Sequence, residues 1–276
     1  MSLSELLLTS FVQHALYAVS AVALAAGAVG YFVVLRRQAF AAHAIGHVGF
    51  AGAAGAVLLG LSPIVGLLVF CLGAGALIGI GGASLDESDA VVGVTLTAAL
   101  GLGVLFISLY SGYADATYSI LFGQILGVTW DDVGLVAALS LGVLLVVSLA
   151  YRPLLFASVD AQSAAARGLS VRAMSLLFMA LLAITTVVAI QIVGVLLVFS
   201  LLVAPAAAAE VLTSRPIKAM GLAMAIALLS AWAGLFLGVW IGGPVSFWIT
   251  ALAASSYLGA RLFDRTRVRH VRRALA

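Results

Sequence analysis

Long apolar runs recur along almost the whole chain, separated by short clusters of glycine, proline or charged residues. A bilayer core of roughly 30 Å needs about 20 apolar residues per helical crossing. The strict alternation of a membrane β-barrel is absent, so the pattern predicts an all-α, polytopic transmembrane bundle of about eight to nine spans. The candidate spans are about 11–35, 40–60, 63–82, 90–110, 131–150, 173–190, 194–213, 217–241 and 244–262.

The sixth and seventh candidate spans are the least clearly separated. Residues 173–213 are almost continuously apolar and are broken only by Gln191 and Gly194. This stretch is too long for one crossing and barely long enough for two. The pattern predicts a tight hairpin with one short half, which leaves eight or nine crossings open.

Composition supports a membrane protein. Of the 276 residues, 64% are hydrophobic and 8% are charged, whereas a soluble domain carries about 25% charged residues. A soluble fold cannot hide so much apolar surface, so the excess must face lipid. Small residues are dense in the runs, as at 49–55 and 73–75, which lets helix backbones approach closely. We expect one transmembrane domain over residues 1–276.

The basic residues indicate an orientation. With nine crossings and the C-terminal arginines in the cytoplasm, all thirteen lysines and arginines fall on the inner side and the N-terminus lies outside. The acidic loop at 86–89 also falls inside, where acidic residues have little influence on orientation. The basic tail could bind nucleic acid, but anionic membrane lipid is the favoured partner. No basic residue precedes the first apolar run, so we expect no cleaved secretory signal peptide.

Two histidines, His43 and His47, stand near the start of the second candidate span. Residues four apart share one helix face, and ionisable groups inside lipid are costly, so this pair is the best functional candidate. Both imidazoles could bind one metal ion; they favour zinc, and also suit iron, nickel or copper, whereas manganese prefers more oxygen ligands. The alternative is that each ring donates to a backbone carbonyl and only packs. A third ligand would have to come from another helix, a second subunit or water.

Other ionisable side chains are less specific. His14 lies near the outer end of the first span, where an interfacial role is favoured over a ligand role. Glu210 could line a pathway, or it could be hydrated or paired with Arg215 at a cytoplasmic helix end. The acidic residues at the outer loop could attract a cation, or they could be solvated, with Asp131 capping a helix. These residues are Asp115, Asp131 and Asp132.

Residues 160–168 predict a short helix on the inner face. Asp160 is a good N-cap, the following alanines favour helix, and Gly168 ends it. A short helix of small residues is suited to the groove of another protein, and its lack of large apolar residues argues against a helix lying on lipid. The chain has no Gly-x-x-x-x-Gly-Lys motif, so it cannot hydrolyse nucleotide by a P-loop.

Three segments together resemble the permease subunits of bacterial ABC importers for zinc, manganese and iron. Residues 35–52 carry an arginine-bearing turn, Ala-His-Ala-Ile-Gly-His and a helix of small residues. Residues 160–168 are similar to the family's Asp-x-x-x-Ala-x-x-x-Gly coupling segment. Residues 193–207 are similar to its Val-Gly-x-Leu-Leu and Pro-Ala-Ala signature. The resemblance covers about residues 10 to 260.

This resemblance implies a permease in the bacterial inner membrane that works as a homodimer. It implies a separate ATP-binding subunit at the cytoplasmic face, contacted through Asp160, Ala164 and Gly168, and a metal-binding protein outside. The chain itself would be a translocation pore with no catalysis and no cofactor of its own. The competing function is a secondary transporter or channel that works without an ATPase.

One position departs from the family pattern. Many relatives have aspartate where this chain has His43, whereas His47 matches. The change keeps a metal ligand but replaces a hard oxygen with imidazole, which favours zinc over manganese or iron as the transported ion.

Overall fold

The computed structural model describes residues 9–81, 85–109, 123 and 125–274, and Asp115 lies outside this part. Ten α-helices occur in the described residues, with no strand among them. They are α1 Ser10–Leu35, α2 Ala39–Leu58, α3 Pro63–Gly81, α4 Leu85–Leu109, α5 Trp130–Val159, α6 Ala161–Ala166, α7 Val171–Val193, α8 Val195–Leu212, α9 Pro216–Ile241 and α10 Val245–Ala274. A 3-10 turn, Ile125–Gly127, precedes α5.

The helices confirm the predicted all-α transmembrane bundle. Every candidate span coincides with one long helix, and α6 is the short helix predicted after Asp160. Seven described helices are long and apolar enough to cross a membrane, namely α1 to α5, α7 and α9. Helix α8, Val195–Leu212, has 18 residues; at 1.5 Å per residue it reaches about 27 Å, slightly less than the bilayer core. The short half of the predicted hairpin is therefore α8.

The centre of the bundle is formed by α1, α2 and α7, which are the most enclosed helices. Helix α1 packs against α5, α7, α8 and α9, and α2 packs against α3, α4, α7 and α8. The outer helices expose large apolar side chains such as Val69, Leu141 and Leu149. Because such side chains are stable against lipid, the bundle is built with its least polar surface outward.

A glycine forms the junction between α7 and α8. Gly194 has φ 91°, a backbone conformation that L side chains rarely adopt. The outer segment before α5 packs on this junction, because a Cβ atom added to Gly123 would clash with the Ile192 carbonyl oxygen. The predicted break at Gly194 is thus a turn, and the chain before α5 packs against it.

Helices α2 and α3 cross at a pair of glycines. A Cβ atom on Gly66 would overlap the carbonyl of Gly52, and one on Gly52 would overlap the carbonyl of Gly66. The two backbones are therefore in direct contact, as the runs of small residues predicted. Gly73, also on α3, is different, since a Cβ atom there would meet nothing within 4 Å.

We expect Gly66→Ala to lower the free energy of unfolding by about 1–3 kcal/mol, because an added methyl group must push two backbones apart. Gly73→Ala is the matched control on the same helix, and it should be neutral or stabilising by up to about 1 kcal/mol. Thermal unfolding of the purified variants in detergent measures both effects. Equal transition temperatures for the two variants would contradict the direct contact at Gly66.

A single arginine joins the C-terminal ends of α1 and α5 to the N-terminal half of α7. Arg36 caps the C-terminus of α1, and its Nη1 donates a hydrogen bond to Ser158 Oγ at the end of α5, over 3.4 Å. The guanidinium carbon lies 4.8 Å from the centre of the Phe178 ring on α7. The next residue, Arg37, takes a left-handed conformation with φ 57°. This turn fixes where α2, which carries the paired histidines, begins.

Candidate functional site

The paired histidines lie on the one half-open face of an otherwise enclosed helix. His43, His47 and Phe50 are partly exposed, whereas the residues between them on α2 are buried. Their spacing of four and three places them on one side of the helix. Because α2 begins at Ala39, His43 lies about 6 Å and His47 about 12 Å along it from its inner end.

The two imidazole rings are adjacent, as their spacing predicted. Their centroids are 4.5 Å apart and their planes are inclined by 74°. The His43 ring also lies 5.2 Å from the ring of Phe199 on α8. Among the described residues, neither imidazole forms a hydrogen bond, so the alternative in which each ring donates to a backbone carbonyl does not hold there.

His14 provides the contrast. Its Nδ1 is 3.0 Å from the carbonyl oxygen of Val128, and its ring lies 4.5 Å from that of Trp130. This histidine therefore holds the segment before α5 against α1. The interfacial role of His14 stays a prediction, and its contacts to Val128 and Trp130 make it a part of the helix packing.

The two histidines alone are fewer side chains than a metal site usually needs. No group of three histidine, cysteine, aspartate or glutamate side chains that could hold a metal ion occurs among the described residues. Structural zinc sites are usually four-coordinate. A third histidine, cysteine or carboxylate ligand for an ion at His43 and His47 would therefore come from outside the described part of this chain.

A half-open face of α8 adjoins the histidines. A Cβ atom added to Gly46 would be 3.4 Å from Val198 Cγ1, so α2 and α8 lie close together there. Three partly exposed residues, Phe199, Val203 and Glu210, share one side of α8. We call these three residues together with His43, His47 and Phe50 the α2–α8 face.

Glu210 is placed at the inner end of this face. Its Oε1 atom is buried and has no hydrogen-bond partner among the described residues. In the same part of the chain it forms no ion pair with Arg215, which is exposed. Of the alternatives for Glu210, pairing with Arg215 is therefore not found, whereas hydration and a place along a pathway stay open.

Segment 160–168 folds as its sequence predicted. Asp160 caps α6, and its Oδ1 accepts a hydrogen bond from the Ser163 N–H over 2.9 Å. The hydrogen bonds from Ser163 lower the pKa of the Asp160 carboxyl group below its usual value. Gly168 ends the segment with φ 82°. Ala164 is 0% exposed and packs inward, whereas Ala165 is on the exposed side.

Sequence reasoning missed several contacts of the site. The N-cap of α5 is Thr129 rather than Asp131, and it forms a capping box with Asp132. The Thr-x-x-Asp pattern is a weak form of the usual capping-box signal and could have indicated this. No local signal predicts the contact of Phe199 with His43, because the two residues are far apart in the chain.

The fold is that of a multi-pass α-helical membrane protein. Two histidines without hydrogen bonds among the described residues lie on a half-open face of one of its helices. Comparison with known proteins gives the family: the ABC 3 transport family matches residues 9–264. The chain therefore belongs to the ABC 3 transport family and is a multi-pass protein of the cytoplasmic membrane.

Named relatives and a solved structure agree with this family. The chain is 38% identical over 160 residues to the manganese import system permease protein ScaB of Streptococcus parasanguinis, which covers 58% of this chain and 57% of that protein. It is 35% identical over 236 residues to the manganese transport system membrane protein MntC of Halalkalibacterium halodurans, covering 85% and 81%. A structure described as PsaBC from Streptococcus pneumoniae in complex with Fab has a TM-score of 0.83, 32% identity and 93% coverage of both chains.

Proposed function

We propose that this chain is the membrane permease subunit of an ATP-driven importer for a divalent transition metal ion, and that His43 and His47 bind the ion during passage. The observation that carries this proposal is the pair of adjacent imidazoles without hydrogen bonds on the half-open face of α2. Unpaired polar side chains inside a membrane bundle are expensive and mark ion pathways. The relatives named as metal permeases support the same function.

A second copy of the chain would complete the site. If two α2–α8 faces meet, four imidazoles converge, which is the ligand number of a tetrahedral metal site. The incomplete site in one chain is the reason for proposing a homodimer with the pathway at its centre. A site shared between two chains can open when they separate, so the ion can leave it.

The energy would come from partner proteins. We propose that an ATP-binding subunit docks on the exposed side of α6 and that an extracytoplasmic metal-binding protein delivers the ion outside. Ala164 would anchor α6 to this chain, while Asp160 and Gly168 would set the beginning and end of the helix. This chain would then supply the pathway and the gate and perform no chemical catalysis.

The preference for one metal over another is inferred from the ligand at position 43. The relatives named above are named for manganese, whereas imidazole at position 43 favours zinc over manganese, which prefers oxygen. Zinc therefore stays a prediction from His43 alone. The two imidazoles of one chain could bind zinc, manganese or iron.

We expect membrane vesicles that carry the complete importer to take up the metal only with ATP. We expect the His43→Asp variant to retain uptake but to shift the preference from zinc towards manganese. A shift of about tenfold, equivalent to about 1.4 kcal/mol, is reasonable for exchanging one ligand. Uptake of zinc, manganese and iron is measured separately for wild type and variant.

Two results would contradict the proposal. Uptake that needs no ATP would indicate a secondary transporter or channel instead. An unchanged metal preference in His43→Asp would show that His43 does not bind the ion, and the argument for zinc would fail with it.

A further inference from the structure

Glu210 is a carboxylate that the proposed histidine site does not use. It lies near the inner end of α8, and its Oε1 atom is buried without a hydrogen-bond partner among the described residues. A buried polar group without a partner is destabilising, and far more so if it is charged. Oε1 therefore has no partner within the described residues, while the Glu210 side chain as a whole is partly exposed and can be reached from the half-open face.

The neighbouring polar groups do not satisfy this oxygen. The Tyr31 hydroxyl on α1 is near enough to interact with Glu210 electrostatically, but the two form no hydrogen bond. Arg215 and Lys218, the nearest basic residues along the chain, are exposed and form no ion pair with it within the described part. The carboxylate therefore has unused capacity to bind a cation.

Glu210 is aligned with the histidines along α8. It follows Phe199 by eleven residues (210 − 199), which is three helical turns, so both lie on the same side of the helix. Phe199 contacts the His43 ring, and Glu210 lies about 16 Å further along the helix. Partly exposed Val203 and Ala207, which offer no ligand, lie between them. The α2–α8 face thus has imidazoles at one level and a carboxylate nearer the inner end.

We propose that Glu210 is a second cation-binding position, which receives the divalent metal ion when it leaves His43 and His47 for the cytoplasm. This inference rests on the proposed function. A carboxylate suits manganese, and zinc and iron accept it as well. One carboxylate supplemented by water binds weakly, and conduction requires sites that are weak enough to release the ion. The next residues along the chain, from Arg215, belong to the side predicted to be cytoplasmic.

The test compares Glu210→Gln with wild type in the complete importer. Glutamine keeps the size and hydrogen-bonding capacity of the side chain but removes its charge, so folding should be retained. We expect the maximal rate of manganese and zinc uptake to fall about tenfold, while the half-saturating metal concentration changes less than about twofold, because entry to the histidine site is unaffected.

Two further variants separate charge from structure. Glu210→Asp keeps the charge and should restore part of the rate. Asp89→Asn removes an exposed acidic charge from the side predicted to be cytoplasmic and should leave uptake unchanged. Thermal unfolding and co-purification of the ATPase are measured for every variant.

Three outcomes would overturn this assignment. A wild-type maximal rate for Glu210→Gln would exclude a role in passage. A lower rate that parallels a loss of folded protein would show that Glu210 is structural. An equal loss of rate in Asp89→Asn would show a general charge effect. If the wild-type importer itself moves none of the tested metals, the proposed function fails, which is a distinct result.

Discussion

We expect replacement of His47 with alanine to abolish metal uptake, with a loss of about a hundredfold or more. Loss of a group that only supports a metal ligand typically costs about 10–100-fold in metal affinity or activity, and on the proposed function this variant would remove a ligand itself from each copy of the chain. His47 lies deeper in the bundle than His43, and its ring is adjacent to that of His43 in the structure. Uptake of radiolabelled manganese or zinc by membrane vesicles measures the effect, with expression and ATPase binding determined in parallel.

His14→Ala is the matched control for this variant. It also removes one imidazole, but that ring is bound to the Val128 carbonyl and packs on Trp130. We expect a loss of about 1 kcal/mol in stability and retained uptake, since only one hydrogen bond and one ring contact disappear. If His47→Ala transports as well as His14→Ala, the histidine pair is not the path of the ion.

A charge on the exposed side of α6 will separate the permease from its ATPase. Ala165 is exposed, whereas Ala164 is fully buried, so a charge at Ala164 would disturb this chain itself. We expect Ala165→Arg to reduce ATPase co-purification and ATP-dependent uptake about tenfold or more. A large charged side chain does not fit a contact between small residues and lowers the binding free energy by several kcal/mol. The unfolding temperature of the permease alone should be unchanged.

Ser214→Arg tests whether any new charge has this effect. Ser214 is exposed in the connection between α8 and α9, on the side predicted to be cytoplasmic. This variant should bind the ATPase and support uptake normally. If Ala165→Arg also binds the ATPase at the wild-type level, α6 is not the docking helix.

The helices could be predicted because the bilayer imposes a simple requirement. Each crossing needs one long apolar run, and those runs located the nine long helices of the described residues. Gly194 and Gly168 were predicted as breaks, and both adopt positive φ angles that favour glycine. Asp160 was predicted as a cap, and its carboxylate accepts the hydrogen bond from Ser163 that defines one.

The remaining details depend on contacts between distant parts of the chain. The burial of Ala164 could not be predicted, because a six-residue helix of mostly alanine has no apolar face to recognise. The Phe199–His43 contact and the link from Arg36 to Ser158 arise from helix packing alone. The choice of zinc rests on one residue type, while the full ligand set depends on groups outside the described chain.

The Arg36 side chain connects the region of α6, the proposed docking helix, with the start of the histidine helix α2. Ser158 lies just before the cap of α6, and Arg36 lies just before the start of α2, so one side chain spans the two. The bond is 3.4 Å long, near the outer limit for a hydrogen bond, so a displacement of well under about 1 Å would break it. A displacement of α6, the proposed docking helix, would therefore be felt at the turn before α2 through the side chain of Arg36, which keeps its contact with the Phe178 ring when the bond to Ser158 is lost.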